Sequence, residues 1–256
     1  MLARKSMKSL VVLLPTLNEA EGLQWVDERI PYRALYNQGY ETKCMVVDGH
    51  SNDGSLEIAS SLNYDGFEQI GHGKGNAIRQ AFHRAIQTKP DVIVMLDADG
   101  TYDPRDMLRM LPHLEKNDVI VGDRLRGDLE PGSMTPFNYF GNHVLTWIAS
   151  VLYNRRCEDL CSGFWMFSAK ALQEIELNSL EFELEAEMYA SCIYNSLRLQ
   201  YVPIRYAARI GEAKLGSTAD GWHILKKLLI RRFFPKPFED QIPYSCLLYT
   251  SDAADE

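Results

Sequence analysis

Two carboxylates, Asp97 and Asp99, follow directly after an apolar run at residues 92–96. A short apolar run of this kind predicts a buried strand, and open α/β sheets bind ligands at the carboxyl ends of their strands. Carboxylate pairs in such places hold hard cations, and Mg²⁺ completes its ligand shell with phosphate oxygens and water. We therefore expect Asp97 and Asp99 to bind a divalent metal together with a phosphate-containing ligand.

Polar loops after two earlier apolar runs are expected at the same edge of the sheet. Residues 15–22 follow the first run, and residues 48–55 follow the second. The carboxylate of Asp48 suits the imino and amino edge of a nucleobase, while the loops hold the ribose. A turn and helix cap at residues 52–55 is the alternative for the second loop, but it leaves Asp48 unexplained.

A glycine-rich segment at residues 71–76 precedes a predicted helix. Free backbone N–H groups at the start of that helix, together with Lys74, are suited to a phosphate group. The segment does not match the G-x-x-x-x-G-K-[ST] phosphate loop. A glycine-rich turn with a solvated lysine explains the same residues, and the sequence leaves both interpretations open.

The elements that must position these residues alternate along the first half of the chain. Apolar runs predict strands, and helical periodicity predicts the helices between them. The predicted strands are residues 10–14, 44–47, 92–96, 119–121, 164–167 and 199–204, and the predicted helices are residues 20–37, 55–62, 76–88 and 104–116. This alternation predicts a single α/β domain with a mostly parallel central sheet.

The composition excludes some classes of protein. The chain has 256 residues, 46% of them hydrophobic, and a formal net charge of -8. It can bury a full core but lacks the basic surface of a nucleic-acid-binding protein, so no nucleic-acid partner is expected. Its five cysteines, an odd number at irregular spacing, indicate reduced thiols in a cytoplasmic protein. No signal peptide is visible.

Taken together, the loops resemble those of the family 2 glycosyltransferases, and within them the polyprenyl-phosphate sugar synthases, which include the dolichol-phosphate mannosyltransferases. The resemblance extends from Lys8 to Phe234. Its motifs are, in order, PTLNEAEG, VVDGHSNDGS, GKGNAIRQAF, VMLDADGTYDP, VGDRLRGDLEPG, CSGFWMF, FELEAEM and RIGEAKL. It implies a Rossmann-like GT-A fold, a nucleotide-sugar donor, Mg²⁺ or Mn²⁺ as cofactor, and inversion at the anomeric carbon.

The resemblance also implies roles for individual residues. Asp97 and Asp99 correspond to the metal motif, and the catalytic residues are expected to be Asp99, Arg124 and Glu187. An acceptor phosphate is expected to meet Arg124, Arg209 and Lys214. The nucleotide-sugar is expected to contact Pro15, Thr16, Asn18, Glu19, Asp48, Lys74, Asp97 and Ala98.

Three positions depart from the family pattern. Members whose metal motif continues Leu-Gln use that Gln as a further ligand, whereas Gly100 and Thr101 stand here, which leaves the third metal ligand open. Ala213 replaces a commonly found Ser. Trp165 replaces the Arg of a Ser-Gly-Phe-Arg motif, so we expect different acceptor contacts.

The expected chemistry decides what the acceptor needs. Cleavage at the anomeric carbon builds negative charge on the leaving diphosphate, which a metal stabilises. A lipid phosphate acceptor is already anionic and needs cationic positioning rather than a strong base. A hydroxyl acceptor would need a base, for which Glu185 or Glu187 is the candidate. The alternative for the acidic run at residues 181–187 is a solvated face, with Glu187 alone expected to face the cleft.

The chain divides into an expected glycosyltransferase domain at residues 7–216 and a basic amphipathic helix at residues 217–236. Such a helix can lie in a membrane interface, where it would bring the enzyme to a lipid-linked acceptor at the cytoplasmic membrane face. A helix packed on the core is the open alternative. No run of roughly 20 apolar residues is present, and residues 144–153 are too short to span a bilayer. Residues 246–256 resemble a translated sequencing-library adapter, so we exclude them from the fold.

The sequence thus favours a metal-dependent inverting hexosyltransferase that uses GDP-mannose or UDP-glucose and a polyprenyl or dolichyl phosphate. A haloacid-dehalogenase-type phosphohydrolase is the first alternative, because Asp97 to Thr101 also fits its nucleophile motif. Only about twenty residues separate that motif from the next acidic motif, which is too few for such a fold. A non-catalytic nucleotide-sugar-binding module is the second alternative.

Overall fold

The computed structural model describes residues 7–211 and 218–237. Within these residues, seven strands form one mixed sheet in the order β3-β2-β1-β4-β6-β5-β7. The strands are β1 (Lys8–Thr16), β2 (Tyr40–Asp48), β3 (Asp65–Glu68), β4 (Val92–Met95), β5 (Val119–Leu129), β6 (Trp165–Ser168) and β7 (Leu199–Tyr206). Strands β1 to β4 are parallel, β6 is antiparallel to β4 and β5, and β7 is parallel to β5. The predicted α/β fold with a mostly parallel sheet is confirmed.

Helices cover both faces of this sheet. Successive side chains of β1 alternate between two buried clusters, with Leu10 and Val12 in one and Val11 and Leu13 in the other. Burial on both faces is the reason why parallel strands are continuous apolar runs in the sequence. The α-helices are α1 (Ala20–Asp27), α2 (Tyr32–Asn37), α3 (Ser55–Ser61), α4 (Lys74–Gln87), α5 (Met107–Met110), α6 (Pro136–Tyr153), α7 (Ala169–Glu174), α8 (Leu184–Tyr194) and α9 (Thr218–Phe233).

Two predicted helices are divided in the structure. The helix predicted at residues 20–37 is α1 followed by α2, with Pro31 immediately before α2, because proline cannot continue a helix. The helix predicted at residues 104–116 consists of α5 between two 3₁₀ segments, and Pro112 lies in the second of them. Strand β3 was not predicted, because three of its four residues are exposed and no apolar run marks it.

The predicted basic amphipathic helix lies in α9. Ile224, Leu228 and Arg231 are buried, whereas Trp222 and Phe233 are exposed. Tyr153 at the end of α6 donates a hydrogen bond to the main-chain oxygen of Leu228, so α6 and α9 pack together. No helix in the described ranges is long and apolar enough to cross a membrane.

Candidate active site

The candidate site lies where the order of the sheet reverses. Strand β1 pairs with β2 on one side and β4 on the other, and ligands of open α/β sheets bind at the carboxyl ends of such strands. A cavity of about 380 Å³ opens there. It is lined by Pro15, Thr16, Leu17, Glu19, Gly49, Gln69, His72, Gly73, Lys74, Ala77, Asp97, Ala98, Asp99, Glu181, Phe182 and Arg209.

Asp97 is held by a lysine from the glycine-rich loop. The Nζ atom of Lys74 lies 2.8 Å from Asp97 Oδ1 and 3.1 Å from Glu185 Oε1. Burial opposes the charge of Lys74, but the two carboxylates outweigh it and raise the pKa of Lys74. Lys74 is therefore not a solvated lysine, and its positive charge is fixed at the cavity wall.

Asp99 is held from two directions. The hydroxyl and the backbone N–H of Thr101 donate to Asp99 Oδ1 at 2.5 and 3.0 Å. The Nη1 atom of Arg209 lies 3.4 Å from Asp99 Oδ2. Burial and the neighbouring charge of Asp97 raise the pKa of Asp99, so a positive ligand between the two carboxylates would relieve their repulsion. Thr101, at the position of the missing Gln, thus fixes the orientation of Asp99.

Arg209 reaches Asp99 because the chain after β7 pairs with the metal-motif loop. Backbone N–H groups of Ala207 and Ile210 donate to the oxygens of Thr101 and Asp99, each at 2.9 Å. The guanidinium of Arg209 also donates to the carboxylate of Glu19. One predicted acceptor-binding residue and one predicted nucleotide-binding residue therefore meet at the cavity.

The first two loops are bonded to each other. Asn18 receives a hydrogen bond from the N–H of Asn52 at 2.8 Å and donates its own N–H to Ser51 at 2.7 Å. Asp53 accepts from the N–H of Ala20, the first residue of α1, at 2.9 Å. Asn18 therefore joins the loops and is not among the residues that line the cavity. Asp53 also accepts from the N–H of Ser55, the first residue of α3, at 3.0 Å, so its carboxylate binds the first N–H of both α1 and α3.

Asp48 is the buried carboxylate at the end of β2. Its Oδ2 accepts from the N–H of Ser51 at 2.8 Å, whereas its Oδ1 has no hydrogen-bond partner among the described residues. A buried carboxylate oxygen without a partner costs free energy unless a ligand satisfies it. The neighbouring Gly49 lines the cavity, whereas Asp48 itself lies behind the lining residues.

The glycines at the start of α4 serve a close packing contact. A Cβ atom on Gly73 would lie 2.2 Å from the main-chain oxygen of Leu180, and one on Gly75 would lie 2.8 Å from that of Ser179. The N–H of Asn76 donates to the Leu180 oxygen at 3.1 Å. Part of the helix start expected to be open to a phosphate is thus covered by the segment before α8.

Two further glycines were not singled out from the sequence. A Cβ atom on Gly22 would lie 2.0 Å from the oxygen of Ala98, and one on Gly163 would lie 2.5 Å from Asp97 Oδ2. Both glycines let neighbouring backbone approach the metal motif closely. Their sequence signal is that Gly22 ends the PTLNEAEG motif and Gly163 is the third residue of the CSGFWMF motif.

The structure does not bring Arg124 into the cavity lining. Its Nε and Nη2 atoms donate to both oxygens of Asp159 at 2.8 and 2.7 Å, and its guanidinium lies 5.2 Å from the ring of Tyr206. Asp159 thus holds Arg124 outside the cavity lining, and its expected contact with a phosphate stays a prediction.

Glu187 does not face the cleft, which corrects the expectation from the sequence. Its Oε2 accepts from the N–H groups of Asn178 and Ser179 at 2.9 and 2.7 Å. Its Oε1 accepts from Arg231 on α9, with the Nε atom at 2.7 Å. Glu187 therefore anchors α9, and Glu185, behind Lys74, is the acidic side chain of α8 nearest to the metal motif.

The remaining expectations concern Trp165 and residues that the structure does not describe. Trp165 is fully buried, stacks on Phe167 and donates to the oxygen of Ser162 at 2.6 Å, so it makes no acceptor contact. Lys214, Ala213 and the predicted non-native tail lie outside the described residues.

Comparison with known proteins identifies the family. The sequence profile described as Glycosyl transferase family 2 matches residues 11–176, which is more than half of the chain. The chain belongs to glycosyltransferase family 2. This membership overturns the phosphohydrolase alternative and confirms the family to which the loops are similar.

Relatives of this family 2 glycosyltransferase carry related names. This chain is 33% identical over 223 residues to the glycosyltransferase AglJ of Haloferax volcanii. The match covers 86% of this chain and 71% of that protein. It is 29% identical over 221 residues to the dolichyl-phosphate hexose transferase of the same organism, with 86% and 92% covered. These relatives confirm the resemblance to the polyprenyl-phosphate sugar synthase group.

A solved structure confirms the GT-A fold. Glucosyl-3-phosphoglycerate synthase from Mycobacterium tuberculosis, in complex with Mn²⁺, UDP and glucosyl-3-phosphoglycerate, superposes with a TM-score of 0.67. The two chains are 15% identical, and the match covers 91% of this chain and 82% of that chain. At this identity the likeness concerns the fold.

Proposed function

We propose that this glycosyltransferase moves a hexose from GDP-mannose or UDP-glucose to a polyprenyl phosphate, with inversion at the anomeric carbon. The observation that carries the proposal is the position of Asp48, whose Oδ1 has no hydrogen-bond partner among the described residues. It lies at the same edge of the sheet as the carboxylates Asp97 and Asp99. Because β1 lies between β2 and β4, the two groups are separated by two strand spacings, about 10 Å, which leaves room for a nucleoside. The relatives named for dolichyl phosphate support this acceptor.

Asp48 would bind the base of the donor. Its Oδ1 is buried and has no partner among the described residues, and an imino N–H of a base can satisfy it. Guanine and uracil both carry such a group, so this contact is compatible with GDP- and UDP-sugars alike. Pro15, Thr16 and Gly49 line the adjoining wall.

Asp97 and Asp99 fit a divalent cation. No group of three or more His, Cys, Asp or Glu side chains in the described ranges is arranged for a metal, and Asp97 and Asp99 are the two candidate ligands there. Mg²⁺ and Mn²⁺ accept such a donor set when phosphate and water supply the other ligands. When bound, the metal would stabilise the negative charge of the leaving diphosphate. Lys74 and Arg209 orient the two carboxylates and add positive charge beside them.

The contacts of the two candidate bases, Glu185 and Glu187, favour a phosphate acceptor over a hydroxyl acceptor. Glu185 is paired with Lys74, and Glu187 is paired with Arg231. A base must reach the acceptor hydroxyl as well as take its proton. Burial raises the pKa of Glu185, but Lys74 stands between it and the metal motif, whereas an anionic phosphate attacks without a base. Arg209 would position that phosphate by charge-assisted hydrogen bonds, with Lys214 as the second expected cation.

A membrane surface would bring the enzyme to its lipid-linked acceptor. Helix α6 contains no Asp, Glu, Lys or Arg, yet Phe140 is 68% exposed and Trp147 is 66% exposed. We give the name aromatic face to eight of the exposed apolar side chains on α6 and α9. It consists of Phe137, Phe140, Val144, Trp147 and Val151 on α6, and Trp222, Leu229 and Phe233 on α9. Aromatic side chains beside the exposed cations Lys226 and Arg232 suit an anionic bilayer interface, at the cytoplasmic face of the membrane.

The test combines binding with turnover. A panel of nucleotide-sugars is added with Mn²⁺, and the expected result is a raised Tm with GDP-mannose or UDP-glucose, because a bound ligand stabilises the folded state. The stabilising donor is then incubated with a polyprenyl phosphate, and release of the nucleoside diphosphate and formation of the lipid-linked sugar are followed. Stabilisation without either product would support a non-catalytic binding module. Absence of stabilisation by every donor contradicts the proposal.

A further inference from the structure

The side chain of His50 forms hydrogen bonds that join two loops lining the cavity. Its Nδ1 atom lies 2.6 Å from Glu68 Oε1, and its Nε2 atom lies 2.7 Å from the main-chain oxygen of Gly71. A carboxylate and a carbonyl oxygen both accept hydrogen bonds, whereas a neutral imidazole has a single N–H. The two bonds exist together only when His50 carries a proton on each nitrogen.

The backbone at His50 is also unusual. Its φ angle is 71°, in the left-handed region that side chains rarely adopt. Such a conformation persists where surrounding contacts over-determine it. The two ring hydrogen bonds provide these contacts, so His50 is fixed by its partners rather than by its own backbone preference.

The bonded loops contribute directly to the cavity lining. Gly49 lies immediately before His50, and His72 and Gly73 lie immediately after Gly71. Gly49, His72 and Gly73 all line the cavity. The rings of His50 and His72 lie 4.8 Å apart at an angle of 53°. We therefore expect that loss of a hydrogen bond of the His50 ring shifts Gly49 and His72, which form the cavity wall beside Asp48.

The titratable groups that face His50 come from each neighbouring element. Glu68 ends β3, Asp48 ends β2, and His72 lies in the loop before α4. The hydrogen bonds to Gly71 and Glu68, followed by the charges of Glu68 and Asp48, raise the pKa of His50 above its ordinary value.

We propose that doubly protonated His50 clamps the loops around Gly49 and His72, so that nucleotide affinity falls when this imidazole loses a proton at higher pH. This inference rests on the proposed function, because it takes the cavity as the nucleotide site. His50 is a positioning residue here. It acts through the loops and does not contact Asp97 or Asp99.

The experiment measures UDP and GDP binding with Mn²⁺ by calorimetry at pH 6.0 and pH 8.5. The wild type should bind the better nucleotide about fivefold more weakly at pH 8.5, the size of one partly exposed hydrogen bond. His50→Asn accepts a left-handed backbone but does not titrate in this range, so the change attributable to His50 should disappear. His223→Asn, on α9, is the matched control and should keep the wild-type ratio.

A second measurement uses linkage. If nucleotide binds the protonated form better, bound nucleotide must raise the titration midpoint of His50, which NMR of the imidazole Cε1–H group follows directly. Glu68→Gln gives a further check, since an amide can donate to a neutral imidazole and should preserve affinity at pH 8.5. An unchanged midpoint, or a wild-type pH ratio in His50→Asn, overturns the inference while the proposed function stands. Failure of the wild type to bind either nucleotide overturns both.

Discussion

Gly22 on α1 lies against the main-chain oxygen of Ala98, the residue between the two candidate metal ligands. A Cβ atom on Gly22 would stand 2.0 Å from this oxygen, far inside van der Waals contact. Helix α1 therefore supports the metal-motif loop through direct backbone contact. A side chain at position 22 must displace either the helix or the loop.

Gly22→Ala should consequently impair activity and lower the Tm. Alanine favours a helix over glycine by about 1 kcal/mol, but this gain is smaller than the cost of moving packed backbone. Gly141→Ala in α6 is the matched control, because a Cβ atom there meets nothing within 4 Å. Transfer assays and thermal unfolding of both variants check the prediction. Wild-type stability and turnover in Gly22→Ala would show that the contact is relaxed in solution.

Thr101→Val should weaken the metal motif without unfolding the protein. Valine has nearly the shape of threonine but removes the hydroxyl that donates to Asp99 Oδ1 at 2.5 Å. Loss of this bond is worth about 1 to 1.5 kcal/mol, or roughly a tenfold lower turnover and a higher Mn²⁺ concentration at half activity. Thr101→Ser keeps a hydroxyl and should retain most activity. Equal kinetics for the valine and serine variants would argue against an orienting role of this hydroxyl.

The edge of the sheet could be predicted from the sequence because buried parallel strands are short apolar runs with polar ends. This pattern located β1, β2 and β4, and with them Asp48, Asp97 and Asp99 at one edge. It could not locate β3, whose exposed side chains carry no apolar signal. Without β3, the contact of Glu68 with His50 also remained hidden.

Ion pairs between distant parts of the chain could not be predicted from the sequence for another reason. Glu187 meets Arg231 from a different helix, 44 positions along the chain, so the pair depends on how α8 and α9 pack. Local spacing places Glu185 and Glu187 equally well on an acidic run. Both side chains are buried, and their partners distinguish them, since Glu185 joins Lys74 and Glu187 joins Arg231.

Glu187→Gln should therefore destabilise the protein rather than abolish its chemistry. Loss of the charge leaves Arg231 buried beside a neutral group, with an expected cost of about 3 kcal/mol. The folded fraction should keep its turnover. Glu174→Gln tests the exposed pair with Lys170, 4.0 Å apart, where less than about 1 kcal/mol is expected. Urea unfolding and transfer assays at low temperature separate the two effects. A fully folded Glu187→Gln enzyme without activity would restore the catalytic interpretation.

The stability contributed by Glu187 should depend on pH in a defined direction. Burial favours the neutral acid, but Lys227 and Arg231 outweigh it and lower the pKa of Glu187 below 4.5. The stabilisation is therefore complete above the ordinary value and is lost as the pH falls through the lowered one. Glutamine does not titrate, so the stability gap between wild type and Glu187→Gln should narrow below about pH 4.5. Unfolding curves at pH 7 and pH 4 measure this gap, and a constant gap would mean that another group accounts for the acid sensitivity.

Replacement of Phe140 and Trp147 by serine should reduce membrane binding but leave the cavity intact. Each exposed aromatic side chain that enters a bilayer interface contributes about 1.5 kcal/mol or more, so the double variant should bind vesicles at least roughly a hundredfold more weakly. Tyr36→Ser removes a side chain that is 64% exposed on α2 and serves as the control. Flotation with vesicles containing anionic lipid measures binding. Assays with a short-chain, water-soluble polyprenyl phosphate should show unchanged turnover, because that acceptor needs no bilayer. If the double variant floats as the wild type does, the aromatic face is not the membrane contact.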